Sequence, residues 1–207
     1  MTNGAFAENC YILVDRDARD AVMVDPGEEA DRFLHRLATE RVTLQAVWLT
    51  HSHADHILGT ARVVEATGVP LYLHPEDRPL YDALPQQSAW LGLEPSVPPP
   101  PDRRLTHGMQ LSLGGLTFEV RHVPGHSPGH VAFVGHGAAV VGDALFAGSI
   151  GRTDLPGGDT EALLASIRDQ LLTLPDETVV YPGHGPATTI GQERRTNPFL
   201  TGAVRLA

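Results

Sequence analysis

Between Leu49 and Ile57 the chain reads Thr50-His51-Ser52-His53-Ala54-Asp55-His56, placing three imidazoles and a carboxylate within six residues. An apolar, β-prone run, Ala46-Val47-Trp48-Leu49, leads into it. A helix-like segment from Ile57 to Thr67, closed by Gly68, leads out. His51 and His53 stand two apart, so an extended backbone points both rings to the same side. Asp55 and His56 then come from the turn that leaves the strand. Neutral imidazole nitrogens and a carboxylate are the donors that Zn²⁺ and the neighbouring first-row metals accept. One ion could not use four such ligands comfortably, whereas two ions lying close together could. A lone histidine at such a place is usually a cap or a core residue; four ligands clustered at one strand-to-helix corner reverse that expectation.

The remainder of the chain has to bring further ligands to this corner. It opens with a strand, Cys10 to Val14, a charged turn, and a second strand, Ala21 to Val24, which together predict a hairpin. Asp25-Pro26-Gly27 follows, where Asp25 suits a ligand, a turn or a helix start. Ala30, Phe33, Leu34, Leu37 and Ala38 recur at helical spacing within a helix over Glu28–Ala38. After the histidine-rich stretch comes a strand over Val69–Leu73. From His74 to Leu105 the periodicity degrades, with Pro75, Pro79, Pro85, Pro95 and the run Pro98 to Pro101. Four consecutive prolines favour an extended connection. This insertion, at about 75–105, suits either a substrate lid carrying Trp90 or a plain surface crossing.

Beyond it the chain is β-rich, with Leu111–Leu113, Leu116–His122, Val131–Val134 and Ala138–Val141 separated by glycines. Three strand-like runs end in a loop that bears a ligand. Leu116–His122 leads to Pro124-Gly125-His126, Ala138–Val141 to Gly142-Asp143, and Thr178–Tyr181 to Pro182-Gly183-His184. Glycine at each lets the backbone turn tightly at the strand end. A helix over about Thr160–Leu172, with Asp159 as its N-cap and Leu163, Leu164, Ile167 and Leu171 as its buried stripe, separates the last two.

Several function classes are disfavoured by composition. The net charge of −10 argues against a nucleic-acid surface, which needs a basic patch. No apolar run approaches the ~18–20 residues of a membrane span and no secretory pattern opens the chain. Cys10 is the only cysteine, so no internal disulfide forms and a reducing cytoplasm fits; at the head of an apolar strand it suits a buried structural role. The 207 residues are of a size for one domain.

Taken together, Glu8-Asn9-Cys10-Tyr11, Val24-Asp25-Pro26-Gly27, Thr50 to His56, Pro124 to His130, Gly142-Asp143 and Pro182-Gly183-His184-Gly185 resemble the metallo-β-lactamase superfamily, and within it the glyoxalase II-like hydrolases. The resemblance implies an α+β fold, a four-layer αββα sandwich of two mixed β-sheets flanked by helices. It implies two divalent metal ions at one edge of the sheets, zinc foremost, with iron or manganese also accepted by such ligands. Carried over residue by residue, His51, His53 and His126 hold the first ion, Asp55, His56 and His184 the second, and Asp143 bridges them. Asp55 is also the expected catalytic residue, orienting the attacking hydroxide or taking its proton, and His130 is expected behind His126.

Bound metal lowers the pKa of water from about 15.7 to roughly 7, so metal-bound hydroxide can attack an acyl group at neutral pH. The motifs supply no dedicated acid for the leaving group. A thiolate, with a conjugate acid near pKa 8.5, leaves without one more readily than an amine. That favours a small acyl thioester, S-lactoylglutathione-like, as the small-molecule substrate. Persulfide oxygenation at a single iron is the alternative, since Phe146 to Asp154 resembles persulfide dioxygenases as well as short glyoxalase II-like proteins. Lactones and β-lactams are further alternatives. Within that segment Arg152 suits either a substrate carboxylate or a pairing with Asp154. The basic C-terminal helical extension that glyoxalase II uses for glutathione has no counterpart after Leu200, and the strand that relatives place before Glu8 is short or missing. The first hairpin would then expose an edge against which a second copy could pair as a homodimer. His35, His74, His107, His122 and His136 are expected at the surface or internally satisfied.

Overall fold

In the strands, side chains alternate between two destinations, and that alternation builds the layers. The computed structural model describes residues 1–94 and 97–204; Pro95 of the proline-rich stretch lies outside the described residues. A short ribbon of β1 (Thr2–Asn3) and β2 (Glu8–Asn9) comes first, then the hairpin of β3 (Tyr11–Asp15) and β4 (Asp20–Val24), in register Tyr11 to Val24. Helix α1 (Ala30–Glu40) leads to β5 (Thr43–Trp48), the short helix α2 (Ala54–Ile57), α3 (Thr60–Thr67) and β6 (Leu71–Leu73). With β7 (Arg103–Arg104) these strands form a five-stranded mixed sheet in the order β3-β4-β5-β6-β7. Strand β3 is its edge, as expected of the first hairpin.

The second sheet is six-stranded, with order β15-β14-β11-β10-β9-β8. Its members are β8 (Gln110–Leu113), β9 (Leu116–His122), β10 (Val131–Gly135), β11 (Ala138–Gly142), β14 (Val179–Pro182) and β15 (Thr188–Thr189). A small ribbon of β12 (Leu145–Phe146) and β13 (Ser149–Ile150) lies between β11 and helix α6 (Thr160–Ser166), and α7 (Ile190–Thr196) follows β15.

Val22 and Val24 of β4 face the other sheet and pack with Trp48, Phe118, Val120 and Phe133. Their neighbours Ala21 and Met23 face outward onto Phe33 and Leu37 of α1 and Val63 of α3. On the far side, Ala139 and Val141 pack on Leu163 and Ile167. The four layers are therefore helices, sheet, sheet, helices, as the resemblance implies. Trp48 fills the middle, its ring 5.9 Å from Phe118 and 5.2 Å from Phe133. Burial of a side chain this size contributes roughly 3 kcal/mol before edge-to-face terms.

Some elements differ from their sequence-based expectation. The segment expected as one helix over Ile57–Thr67 is two, interrupted where Gly59 N donates to the Pro26 carbonyl at 2.9 Å, and a side chain at Gly59 would overlap the Gly27 carbonyl. The helix expected over Thr160–Leu172 is α-helical only to Ser166 and widens to a π-turn over Ile167–Leu171, with Asp159 capping Ala162 N as expected. The largest difference lies in the proline-rich insertion, whose first half is helical: a 3₁₀ turn at Pro75–Asp77, α4 (Arg78–Asp82) and α5 (Leu84–Leu91). Pro75, Pro79 and Pro85 stand at helix starts, where the missing N–H costs nothing, so prolines that read as breakers act as initiators.

Candidate metal centre

Sheet direction brings the ligand-bearing loops together. Strands β4 and β5 are parallel, so Asp25 and the loop starting at Thr50 leave the first sheet at the same edge. In the second sheet β11 and β14 are parallel, and β9 runs the same way because both it and β11 are antiparallel to β10. The loops carrying His126, Asp143 and His184 therefore emerge together, at the C-terminal strand ends where α/β sheets collect ligands.

All seven predicted side chains meet there, as two groups of three with Asp143 between them. Ligand atoms of His51, His53 and His126 lie within 4.8 Å of one another, and so do those of Asp55, His56 and His184. In the first group, His53 Nδ1 faces His126 Nε2 at 2.9 Å. In the second, His184 Nε2 lies 3.2 Å from Asp55 Oδ2. Asp143 sits between them: Oδ1 is 3.4 Å from His56 Nε2, and Oδ2 is 3.6 Å from His126 Nε2 and 3.5 Å from His184 Nε2. Gly183 is required beside it, because a Cβ would overlap Asp143 Oδ1.

Outer partners fix the tautomers of four of the five imidazoles. Thr50 Oγ1 gives its only proton to Asp25 Oδ2 at 2.6 Å, so His51 Nδ1, 3.0 Å from the same oxygen, must be the donor to it. His56 Nδ1 donates to Asp25 Oδ2 at 3.1 Å, His126 Nδ1 to the Arg152 carbonyl at 2.8 Å, and His184 Nδ1 to the Phe6 carbonyl at 3.0 Å. Each, in its neutral form, leaves an Nε2 lone pair aimed at the shared centre. Asp25 is thus an outer partner, and it holds a positive φ of 52° while accepting from Thr50 N at 2.7 Å. His130 stacks on His51, with ring centres 4.8 Å apart, and its Nε2 accepts from Asp143 N; it backs His51 and Asp143 more than His126.

The donor set fits metal ions. Nε2 of His51 and of His56 and Oδ1 of Asp143 are buried without a hydrogen-bond partner, which is costly unless something else binds them. Electrostatics distinguishes the two groups. Burial and neighbouring imidazoles hold His51 well below the usual histidine range and push His53 down to about 3. Burial would lower His56 too, but the carboxylates of Asp143 and Asp55 outweigh it and hold it well above that range. His184 is also raised: its bond to Asp55 and the charge of Asp143 overcome desolvation.

The remaining predicted residues also find places. Arg152 pairs with Asp154 through two contacts of 2.7 Å each. Cys10 is buried. Asn9 Nδ2 donates to the carbonyls of Pro182 and Gly185, and Tyr11 Oη to that of Pro182, so β2 and the first hairpin together steady the His184 loop. Glu8 is buried beneath His56, where desolvation pushes its carboxyl up to about 9. His35, His107 and His136 are exposed, whereas His74 is buried and stacked 4.2 Å from His122.

Two residues escaped the sequence reading. Asp77 accepts from Ser127 Oγ at 2.9 Å and from Gly129 N at 2.6 Å, binding the insertion to the His126 loop. Gln87 of α5 accepts from Ala54 N at 3.0 Å and donates to the Ser52 carbonyl at 3.0 Å, binding it to the His53 loop. The Asp77 signal was present, a carboxylate two residues after Pro75 at a helix start; nothing marked Gln87.

Two sandwiched sheets, with two groups of imidazole and carboxylate ligands at the common end of their strands, define a metal-dependent hydrolase architecture. The sequence profile of the metallo-beta-lactamase superfamily matches residues 3–184, and this chain belongs to that family. It is 42% identical over 200 residues to hydroxyacylglutathione hydrolase GloC of Haemophilus influenzae, covering 95% of this chain and 94% of that protein. Among solved structures, BLEG-1 B3 metallo-beta-lactamase superposes with a TM-score of 0.91 at 43% identity, covering 97% and 98% of the two chains. TTHA1623, solved in a di-iron-bound form, superposes with a TM-score of 0.90 at 47% identity over the same shares. No helix among the described residues is long and apolar enough to cross a membrane.

Proposed function

We propose that this protein is a dinuclear metal-dependent thioesterase that hydrolyses a small acyl thioester. The observation that carries the reading is the paired ligand set, each half with its own outer hydrogen-bond partners and both sharing Asp143. His51, His53 and His126 would hold one ion, Asp55, His56 and His184 the other, and Asp143 both; Asp55 is the catalytic carboxylate. When bound, two such ions supply Lewis acidity toward a carbonyl and a water pKa near 7. The protein's own groups do the rest. Asp55, with its side chain 17% exposed toward the cavity, orients the attacking water and takes its proton. As the water oxygen bonds to the acyl carbon, the C–S bond breaks and the thiolate leaves without needing a dedicated acid. Thr50, Asp25 and the carbonyls of Arg152 and Phe6 keep the imidazole lone pairs aimed inward throughout.

The relative named as a hydroxyacylglutathione hydrolase supports thioester chemistry, and the di-iron-bound neighbour supports two ions. The decisive experiment is elemental analysis of purified protein with a panel of thioesters led by S-lactoylglutathione, alongside a lactone and a β-lactam. Two ions per chain and preferential thioester turnover are expected. One iron per chain, with oxygen consumed in the presence of glutathione persulfide, would instead establish the oxygenase reading. The intact second group, Asp55 with His56 and His184, is compatible with either reading, so the metal count decides between them.

A further inference from the structure

A cavity of about 550 Å³, within the range of ordinary small-molecule sites, opens directly over the paired ligands and has His53, Asp55, His126, Asp143 and His184 in its floor. Its walls are apolar: Leu80, Trp90 and Leu91 from the helical part of the insertion, and Phe6, Phe146 and Ile150 from the rest of the molecule. Trp90 is 77% exposed, Phe6 43% and Leu91 42%, so three of the large hydrophobic side chains left open to solvent gather at this one mouth. Apolar surface concentrated in this way marks a binding site. Nor is the wall a loose loop. Gln87, one turn before Trp90 on α5, is tied to Ser52 and Ala54 on either side of His53 and donates to the Leu80 carbonyl at 2.8 Å. Phe146 stands edge-on to His184 with ring centres 6.3 Å apart, which carries the apolar wall down to the ligands.

Charge gives the complementary observation. The sequence contains no lysine, and Arg152 is the one guanidinium among the described lining residues. The Nε and Nη2 edge of its fork is already paired with the Asp154 carboxylate. A substrate arm bearing two carboxylates, as a glutathione moiety does, would meet among the described lining residues a single guanidinium that already has a carboxylate partner.

We infer that the arm of the substrate beyond the reacting thioester is uncharged and apolar, held against Trp90 and its neighbours, and that selectivity comes from this wall instead of from a charged thiol carrier. The inference rests on the thioesterase reading for the reacting group alone. It is tested by binding, with non-hydrolysable thioethers and the metal-loaded full chain. Trp48 is buried and Trp90 exposed, so a blue shift in tryptophan emission on titration reports Trp90. S-hexyl-N-acetylcysteamine is expected to bind at least about tenfold more tightly than its S-methyl counterpart, in line with the discrimination apolar pockets achieve. It should bind no more weakly than S-hexylglutathione. Trp90→Ala should abolish the blue shift and, by calorimetry, weaken hexyl binding toward the methyl value. Equal affinity for hexyl and methyl ethers, tenfold tighter binding of S-hexylglutathione, or hexyl binding unmoved by Trp90→Ala would each overturn the inference. Tight, Trp90-dependent hexyl binding by a protein that turns over no thioester would uphold the apolar arm and discard the thioester chemistry.

Discussion

The two groups of the candidate metal centre differ in residue types and in surroundings. His51, His53 and His126 are an all-imidazole group buried between the sheets, and their protonation is suppressed by desolvation and mutual repulsion. Asp55, His56 and His184 mix a carboxylate with imidazoles, and Asp55 and His184 are the more exposed of the six; there carboxylates outweigh burial and raise both histidines. A metal-free protein therefore presents one group already deprotonated and one still holding protons.

The strongest way to break the comparison is to remove what the halves share. Asp143→Ala should empty both sites and lower hydrolysis by well over the roughly 100-fold that outer partners govern. Retention of two ions by elemental analysis would show that Asp143 does not join the halves. Next come matched single deletions. His184→Ala and His51→Ala should each leave about one ion per chain, with the ion kept in His184→Ala bound by the all-imidazole group. Loss of both ions in His184→Ala would mean that the halves do not fill independently.

A smaller effect is expected from Asp25→Asn. The native carboxylate accepts from Thr50 N on one oxygen and from Thr50 Oγ1 and His56 Nδ1 on the other, and an amide can satisfy only one side. Metal affinity should fall by about 10- to 100-fold, as competition with a chelator would measure. The gentlest prediction is of pH. Because His56 and His184 are raised, metal uptake by their group must displace protons, so its occupancy should strengthen as pH rises through neutrality. The His51 group, already neutral, should keep its ion on mild acidification. Dialysis at about pH 8 and about pH 6 should give nearly two ions and nearly one; parallel loss from both sites would erase the distinction.

Much of this was legible because strand ends punctuated by glycine are visible in sequence. Asp143 follows Gly142 and His184 follows Gly183, and both stand where parallel strands end. The helices of the insertion were not legible, since Pro75, Pro79 and Pro85 read locally as breakers. Their stability comes from packing, with Tyr81 and Leu84 buried in the first core, and packing has no short-range signature. The tertiary contacts of Asp77 and Gln87 were invisible for a related reason. Their partners, Ser127, Gly129, Ser52 and Ala54, lie about 30 to 50 residues away in the chain.

By itself, the sequence determined the donor atoms: which imidazoles and carboxylates are available and which strand ends carry them, because ligand identity and strand period are local properties. Tertiary structure alone decided what surrounds each donor. Sheet pairing sorted six candidate ligands into two groups of three with Asp143 between them, and burial depth and neighbouring charge set their protonation. Desolvation and Coulomb interactions depend on distances through space, and those exist only once both sheets have closed over the site.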